Sequence, residues 1–296
     1  MENSKQTPFY IALISCFLAA SSLLKAPFYK KSVTPIVVSF VAAILIFIGF
    51  YYVCDFVLSR KTNKNIQRII SIIFAAAEVV VAAFAFMEYT EFIYSAVLLR
   101  ASKLLIKAVF AFCVFCVSIS KKEGLYKFAF LSVLLASAVF IIMFLLSVKN
   151  FDIRNLSGII QLKYFSLKQT GVYLLKMFLP ALAAVLFIVK NERQPVALPI
   201  LSGVVFGGVI IAVTLLDSIL TFGLPLAAKL TYPYLSDIST VTVGNLFTRM
   251  DGFAYFAFFA CYIVKCGVCI NLSATLVSEK YKKILCLLLS AALVIF

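Results

Sequence analysis

Histidine is absent from the 296 residues, and charged side chains make up only 13% of them. Without histidine the chain lacks the usual general base, proton shuttle and metal ligand of proteins. We therefore expect no enzyme activity, no metal site and no cofactor. Soluble domains carry about 25% charged residues, so the low charge also argues against a soluble protein.

Apolar residues dominate instead, at 64% of the chain, and the mean hydropathy is +1.09. A helix needs about 20 apolar residues to cross the hydrocarbon of a bilayer, and only helices and closed barrels satisfy their backbone there. The apolar runs lie at 9–24, 33–58, 69–94, 104–119, 128–148, 171–189, 196–222, 253–277 and 284–296. They predict an all-α, polytopic membrane protein with about nine transmembrane helices, the last of them short, in one domain over residues 1–296.

The net charge of +15 comes from 27 basic and 12 acidic residues. In a membrane protein such an excess collects in short loops and attracts anionic headgroups, so it predicts membrane lipids and no nucleic acid as partners. The eight cysteines lie mostly inside apolar runs, where a thiol behaves as a small hydrophobe. We expect no disulfide framework and no redox role for the pairs Cys113/Cys116 and Cys266/Cys269.

Charged side chains at membrane depth are costly, which makes each one a candidate for ligand binding or signalling. The candidates are Glu88, Glu91, Lys176, Asp217, Arg249, Asp251 and Lys265. Structural roles compete with functional ones. Glu88 and Glu91 could reach interfacial water or pair with Lys103 or Lys107, and Asp251 suits the first turn of a helix.

Lys265 is the most deeply placed of these charges, midway along about 25 otherwise apolar residues that must span the bilayer. Its ammonium is too deep to reach the interface easily and needs a buried partner. Asp217, Glu78 and Glu88 are the acids available in other spans, and the sequence leaves the choice among them open.

Several short stretches resemble the GerAB-type spore germination permeases of the amino acid, polyamine and organocation transporter superfamily. They resemble, in order, that family's helix-three segment, an external loop, a second loop and the opening and middle of helix eight. These stretches are MEYTEFI at 87–93, FDIRNL at 151–156, LTYPY at 230–234, VGNLFTRMD at 243–251 and IVK at 263–265.

The resemblance implies a five-plus-five inverted-repeat (LeuT-like) fold, here lacking the last helix, with helices one and six central and close together and helices three and eight around them. It also implies the membrane-embedded B subunit of a germinant receptor. Such a subunit works with an A subunit and a C lipoprotein in the cell membrane or spore inner membrane and senses a small nutrient such as an amino acid. Helix one has no glycine, so we expect it to be less interrupted than in relatives. A secondary amino-acid transporter of the same superfamily and a non-transporting membrane scaffold are the alternatives.

The first prediction concerns topology. Basic residues are nearly balanced between the two sets of loops, but the dense cluster from Arg60 to Arg68 favours a cytoplasmic amino terminus. Five predicted spans separate Asn63 from Ser236. Single cysteines at these two positions, in a cysteine-free background, should react with a membrane-impermeant maleimide from opposite sides, and labelling of both from one side would refute the topology.

Overall fold

The computed structural model describes residues 7–22, 34–58, 64–98, 100–156, 167–174, 178–191, 196–227, 229–230, 232–240 and 251–295. These residues form helices and short connections and contain no strand, which confirms the all-α class. The helices are α1 (Thr7–Ser22), α2 (Thr34–Leu58), α3 (Lys64–Phe92), α4 (Lys103–Ser118), α5 (Lys122–Ser147), α6 (Leu167–Tyr173), α7 (Leu182–Asn191), α8 (Ala197–Ala227), α9 (Pro233–Thr240), α10 (Asp251–Val277) and α11 (Lys282–Ile295).

Five of these helices, α2, α3, α5, α8 and α10, are long and apolar enough to cross a membrane. The chain is therefore an integral membrane protein. In the sixth apolar run the described residues form two helices, α6 and α7, and a 3₁₀ turn at Leu179–Ala181 that directly precedes α7 and contains Pro180. Proline lacks the backbone donor that a continuous helix would need there. The total of nine spans and the inverted repeat stay predictions.

Helix α10 is the most enclosed element, because every residue from Cys261 to Ala274 is buried. It packs against α1, α3, α4, α5 and α11. A helix that is apolar on all faces belongs in the interior of a bundle. α10 is thus a central helix among the described residues, and the arrangement of helices three and eight around one and six stays a prediction.

Helix α1 is also buried, from Ala12 to Ala20, and it runs without a break from Thr7 to Ser22. It contacts α7 and the 3₁₀ turn before it, so the first and sixth runs lie together as predicted. Its most extensive neighbour is α8. The two helices approach at Gly203, whose carbonyl accepts a 3.1 Å hydrogen bond from the Ser15 hydroxyl, and at Gly207.

Helix α8 kinks at Gly223, where φ is +71° and ψ is 157°. Only glycine adopts this backbone conformation without strain. The loop after α5 docks on the kink: the amide of Asp152 and the Asn155 side chain donate to the Leu220 carbonyl at 3.0 and 2.9 Å. The loop thereby binds a carbonyl group at the end of the regular part of α8.

The second prediction tests the contact between α1 and α8. A Cβ atom at Gly203 would lie 2.9 Å from Ile14 Cβ and 3.1 Å from the Ile11 carbonyl oxygen, whereas one at Gly49 in α2 would meet nothing within 4 Å. Because α1 backbone blocks the first position, Gly203→Ala should destabilise the protein by about 1–3 kcal/mol. Thermal unfolding in detergent measures this loss. Gly49→Ala is the matched control and should leave the melting temperature unchanged or raise it, and equal effects of the two substitutions would contradict the close α1–α8 contact.

Candidate functional site

Lys265 lies at the middle of α10 and is 2% exposed. Its ammonium interacts electrostatically with Glu88 on α3 and lies near the thiol of Cys16 on α1. Lys265 Nζ also stands 5.7 Å from the centroid of the Tyr262 ring, one helical turn earlier. The side chain therefore stands where α1, α3 and α10 meet.

Glu88 is the acid that the structure places near Lys265. Its Oε2 atom accepts a 3.1 Å hydrogen bond from the Tyr262 hydroxyl. Glu78 and Asp217 lie elsewhere, so the choice left open among the three acids falls on Glu88. We call Glu88, Tyr262 and Lys265 the central polar cluster.

Aromatic rings surround one side of the central polar cluster. The Tyr89 ring lies 5.1 Å from the Tyr262 ring and 4.7 Å from the Phe110 ring, measured between centroids. Phe86 and Phe259 extend this contact, with Phe110 between them. Aromatic groups bury much apolar area and keep water out, and the electrostatic attraction between Glu88 and Lys265 is stronger in such surroundings than in water.

Glu91 and Asp251 do not join the central polar cluster. Glu91 is exposed near the end of α3, just before the π-helical turn Ile93–Val97. Asp251 is the first residue of α10 and accepts a 2.9 Å hydrogen bond from the Tyr255 hydroxyl. At 1.5 Å per residue, Asp251 is about 21 Å along the helix from Lys265. Its position suits the helix-dipole role weighed from the sequence.

Glu78 is a separate buried carboxylate between α3 and α10. It is 5% exposed, it lies beside the thiol of Cys269, and its Oε2 atom has no hydrogen-bond partner among the described residues. Ten residues, or about 15 Å of helix, separate it from Glu88. Glu78 is therefore not part of the central polar cluster.

Asp217 faces a second acid that the sequence did not single out, Asp237 of α9. Both side chains are 0% exposed, and the Ser147 hydroxyl of α5 donates a hydrogen bond to Asp217 Oδ1. Burial, together with the charge of Asp217, raises the pKa of Asp237 above its ordinary value. We call Asp217 and Asp237 the acidic pair. Sequence reasoning missed Asp237 because it lies in a connection between apolar runs, where a charge is ordinary.

Two further candidates, Lys176 and Arg249, lie outside the described residues. Within the described ranges, no group of three His, Cys, Asp or Glu side chains is placed to hold a metal ion. A cavity of about 420 Å³ between α1, α5 and α8 is lined mostly by apolar side chains and includes none of the candidates; its lining residues are Thr7, Pro8, Ile11, Ala12, Phe130, Val133, Leu134, Ser137 and Phe206.

The central polar cluster combines a cation, a carboxylate and a hydroxyl donor inside an aromatic and aliphatic shell. This arrangement can recognise a small zwitterion, because Lys265 can bind a carboxylate and Glu88 an ammonium group. The central polar cluster lies between α3 and α10 and beside the buried helix α1, so a ligand bound there would contact three helices.

Comparison with known proteins identifies the family of the chain. The sequence profile of the spore germination protein family, a family of permeases, matches residues 36–296, from α2 onward. No curated protein is similar enough to count as a relative. Since the matched region covers most of the chain, including α3, α10 and the central polar cluster, this integral membrane protein belongs to the family of spore germination permeases.

Proposed function

We propose that the protein is the B-type membrane subunit of a germinant receptor and that its central polar cluster recognises a small zwitterionic nutrient such as an amino acid. The observation that carries the proposal is the position of Lys265 at the middle of the most buried helix, opposite Glu88 of α3, whose carboxylate accepts a hydrogen bond from Tyr262 of the same helix as Lys265. A charge at this depth is expensive and marks a functional site by default.

The chemistry of the cluster fits such a ligand. The α-carboxylate of a nutrient would bind to Lys265 and its ammonium group to Glu88, while the Tyr262 hydroxyl holds the Glu88 carboxylate in place. Membership in the germination permease family supports the same role. In this proposal the A subunit and the C lipoprotein of the receptor are the partners, and the spore inner membrane is the location.

A secondary amino-acid transporter is the second candidate function. It is favoured by the contact of α1 with the 3₁₀ turn Leu179–Ala181, where the backbone departs from a regular α-helix, since transporters of this kind place their substrate beside discontinuous helices. A membrane scaffold without ligand is the third.

The third prediction addresses Lys265. Replacing it with leucine removes the positive charge that attracts Glu88. Truncating one member of a charge pair inside a protein costs about 2–5 kcal/mol, equivalent to a factor of ten or more. Lys265→Leu should therefore slow nutrient-triggered germination at least about tenfold. Lys280→Leu, at an exposed position after α10, is the matched control and should germinate normally.

Protein level decides how a Lys265→Leu result is interpreted. Western blots of spore membranes should show both variants at similar amounts if Lys265 acts on the ligand. If the amount of Lys265→Leu falls and the double variant Glu88→Leu/Lys265→Leu restores it, the charge pair is structural and the cluster does not recognise the nutrient. Unchanged germination by Lys265→Leu at normal protein level also overturns the proposal.

The fourth prediction separates receptor subunit from transporter and scaffold. An affinity tag on the chain should retain an A subunit and a lipoprotein from detergent-solubilised spore membranes. Glu88→Gln should retain them equally, because Glu88 faces Lys265 and Tyr262 of α10. Purified protein in liposomes should show no concentrative uptake of labelled amino acids. Uptake that is abolished by Lys265→Leu would show that the protein is a transporter instead. If the tagged chain retains no partner and the liposomes show no uptake, the membrane scaffold is the remaining function.

A further inference from the structure

Several buried oxygen atoms without a hydrogen-bond partner cluster around the acidic pair. Asp217 Oδ2, both carboxylate oxygens of Asp237 and the hydroxyl oxygens of Thr221 and Tyr234 are buried, and none has a hydrogen-bond partner among the described residues. Buried polar groups in native proteins are nearly always paired, so a cluster of unpaired ones indicates a ligand or ion. Here every unpaired atom is an oxygen.

Three helices contribute to this cluster. Asp217 and Thr221 lie one turn apart on α8, just before the kink at Gly223, while Tyr234 and Asp237 lie one turn apart on α9. Ser147 at the end of α5 completes the cluster through its hydrogen bond to Asp217. Thr221 and Asp217 both lie within interaction distance of Asp237, and the two carboxylates are close enough to share a proton or a cation. The space between the two acids is therefore bordered by oxygen atoms.

Tyr234 is an observation independent of the two acids. Its side chain is 4% exposed and its hydroxyl has no hydrogen-bond partner among the described residues, yet it lies within electrostatic interaction distance of both Asp217 and Asp237. The ring is held by edge contacts with Phe140 at 5.7 Å and Phe258 at 6.4 Å between centroids. These contacts fix a polar oxygen in the acidic cluster where an apolar residue would cost less.

We propose that Asp217 and Asp237, with the hydroxyls of Ser147, Thr221 and Tyr234, form a binding site for a divalent hard cation of the Ca²⁺ type. Two fully buried carboxylates repel each other, and a divalent ion neutralises both, whereas a monovalent ion leaves one negative charge. The donor set contains only oxygens, which selects Ca²⁺ or Mg²⁺ over the softer metals.

Calcium fits the donor set better than magnesium. The carboxylates and hydroxyls supply enough oxygens for the six to eight ligands that Ca²⁺ takes in flexible geometry, whereas Mg²⁺ demands a strict octahedron and gives up its water reluctantly. The bound ion would connect α9 to the ends of α5 and α8, next to the loop that docks on the α8 kink. It would act on the connection between α8 and α10 and is separate from nutrient recognition at Lys265.

The fifth prediction is a stabilisation by Ca²⁺ of the purified full chain in detergent, after removal of divalent ions with a chelator. At a Ca²⁺ concentration about a hundred times the dissociation constant, the melting temperature should rise by about 5 °C or more. Equilibrium dialysis with ⁴⁵Ca²⁺ should show one ion per chain. Mg²⁺ should act more weakly and Na⁺ should produce no saturable shift.

Asp237→Asn is the decisive variant. Without Ca²⁺ it should be at least as stable as the wild type, because it removes the repulsion between the two acids, and it should lose the shift and the bound ⁴⁵Ca²⁺. Tyr234→Phe should retain the fold and weaken Ca²⁺ binding several-fold. Asp152→Asn removes an exposed carboxylate from the neighbouring loop and is the matched control, with the full wild-type response.

The proposal fails if wild type and Asp237→Asn respond equally to Ca²⁺, or if neither binds ⁴⁵Ca²⁺ at millimolar concentration. The second result would assign the acidic pair to a shared proton. Lys265→Leu should keep the Ca²⁺ response, so that a failure of nutrient recognition and a failure of the cation site are seen separately.

Discussion

Burial of the Lys265 charge is the constraint around which the interior is arranged. The part of α10 from Cys261 to Ala274 is buried on all faces, so its lysine cannot reach water and needs opposite charge from a neighbouring helix. Glu88 on α3 provides that charge, and the Tyr262 hydroxyl binds the same carboxylate. The register between α3 and α10 is therefore linked to electrostatics as well as to packing. A ligand that entered between the two charges would compete with their mutual attraction, and the position of α3 relative to α10 would change with its presence.

The close contact of α1 with α8 has a different physical origin. It depends on small residues, since Gly203 and Gly207 let the backbones approach until Ile14 and Leu18 fill the space that side chains would occupy. In lipid there is little hydrophobic drive between helices, and such close packing supplies much of the association energy. Helix α1 thus contacts α8 through van der Waals packing and stands beside the Lys265 charge at the same time. Motion of α1 would change both its contact with α8 and the surroundings of Lys265.

Apolar periodicity and length were sufficient to predict the fold class and nearly every long helix, because each span is a local run of sequence. The resemblance to germination permeases located the first and sixth runs beside each other. Neither could assign the partner of Lys265, since Glu78, Glu88 and Asp217 are equally acidic and the choice depends on helix rotation in three dimensions. Asp237 was missed because a carboxylate in a polar connection carries no signal until the fold buries it against Asp217.

The two polar clusters differ in what burial demands of them. Glu88 and Lys265 carry opposite charges, so the pair is close to neutral without any ligand, and its cost is mainly desolvation. Asp217 and Asp237 carry the same charge, so burial of both requires a proton or a cation from outside the chain. A ligand at the central polar cluster would compete with an attraction that is already present, whereas a cation at the acidic pair would relieve a repulsion. Under the two proposals, the ends of α5 and α8 together with α9 respond to divalent cations, and the central polar cluster responds to a zwitterionic nutrient.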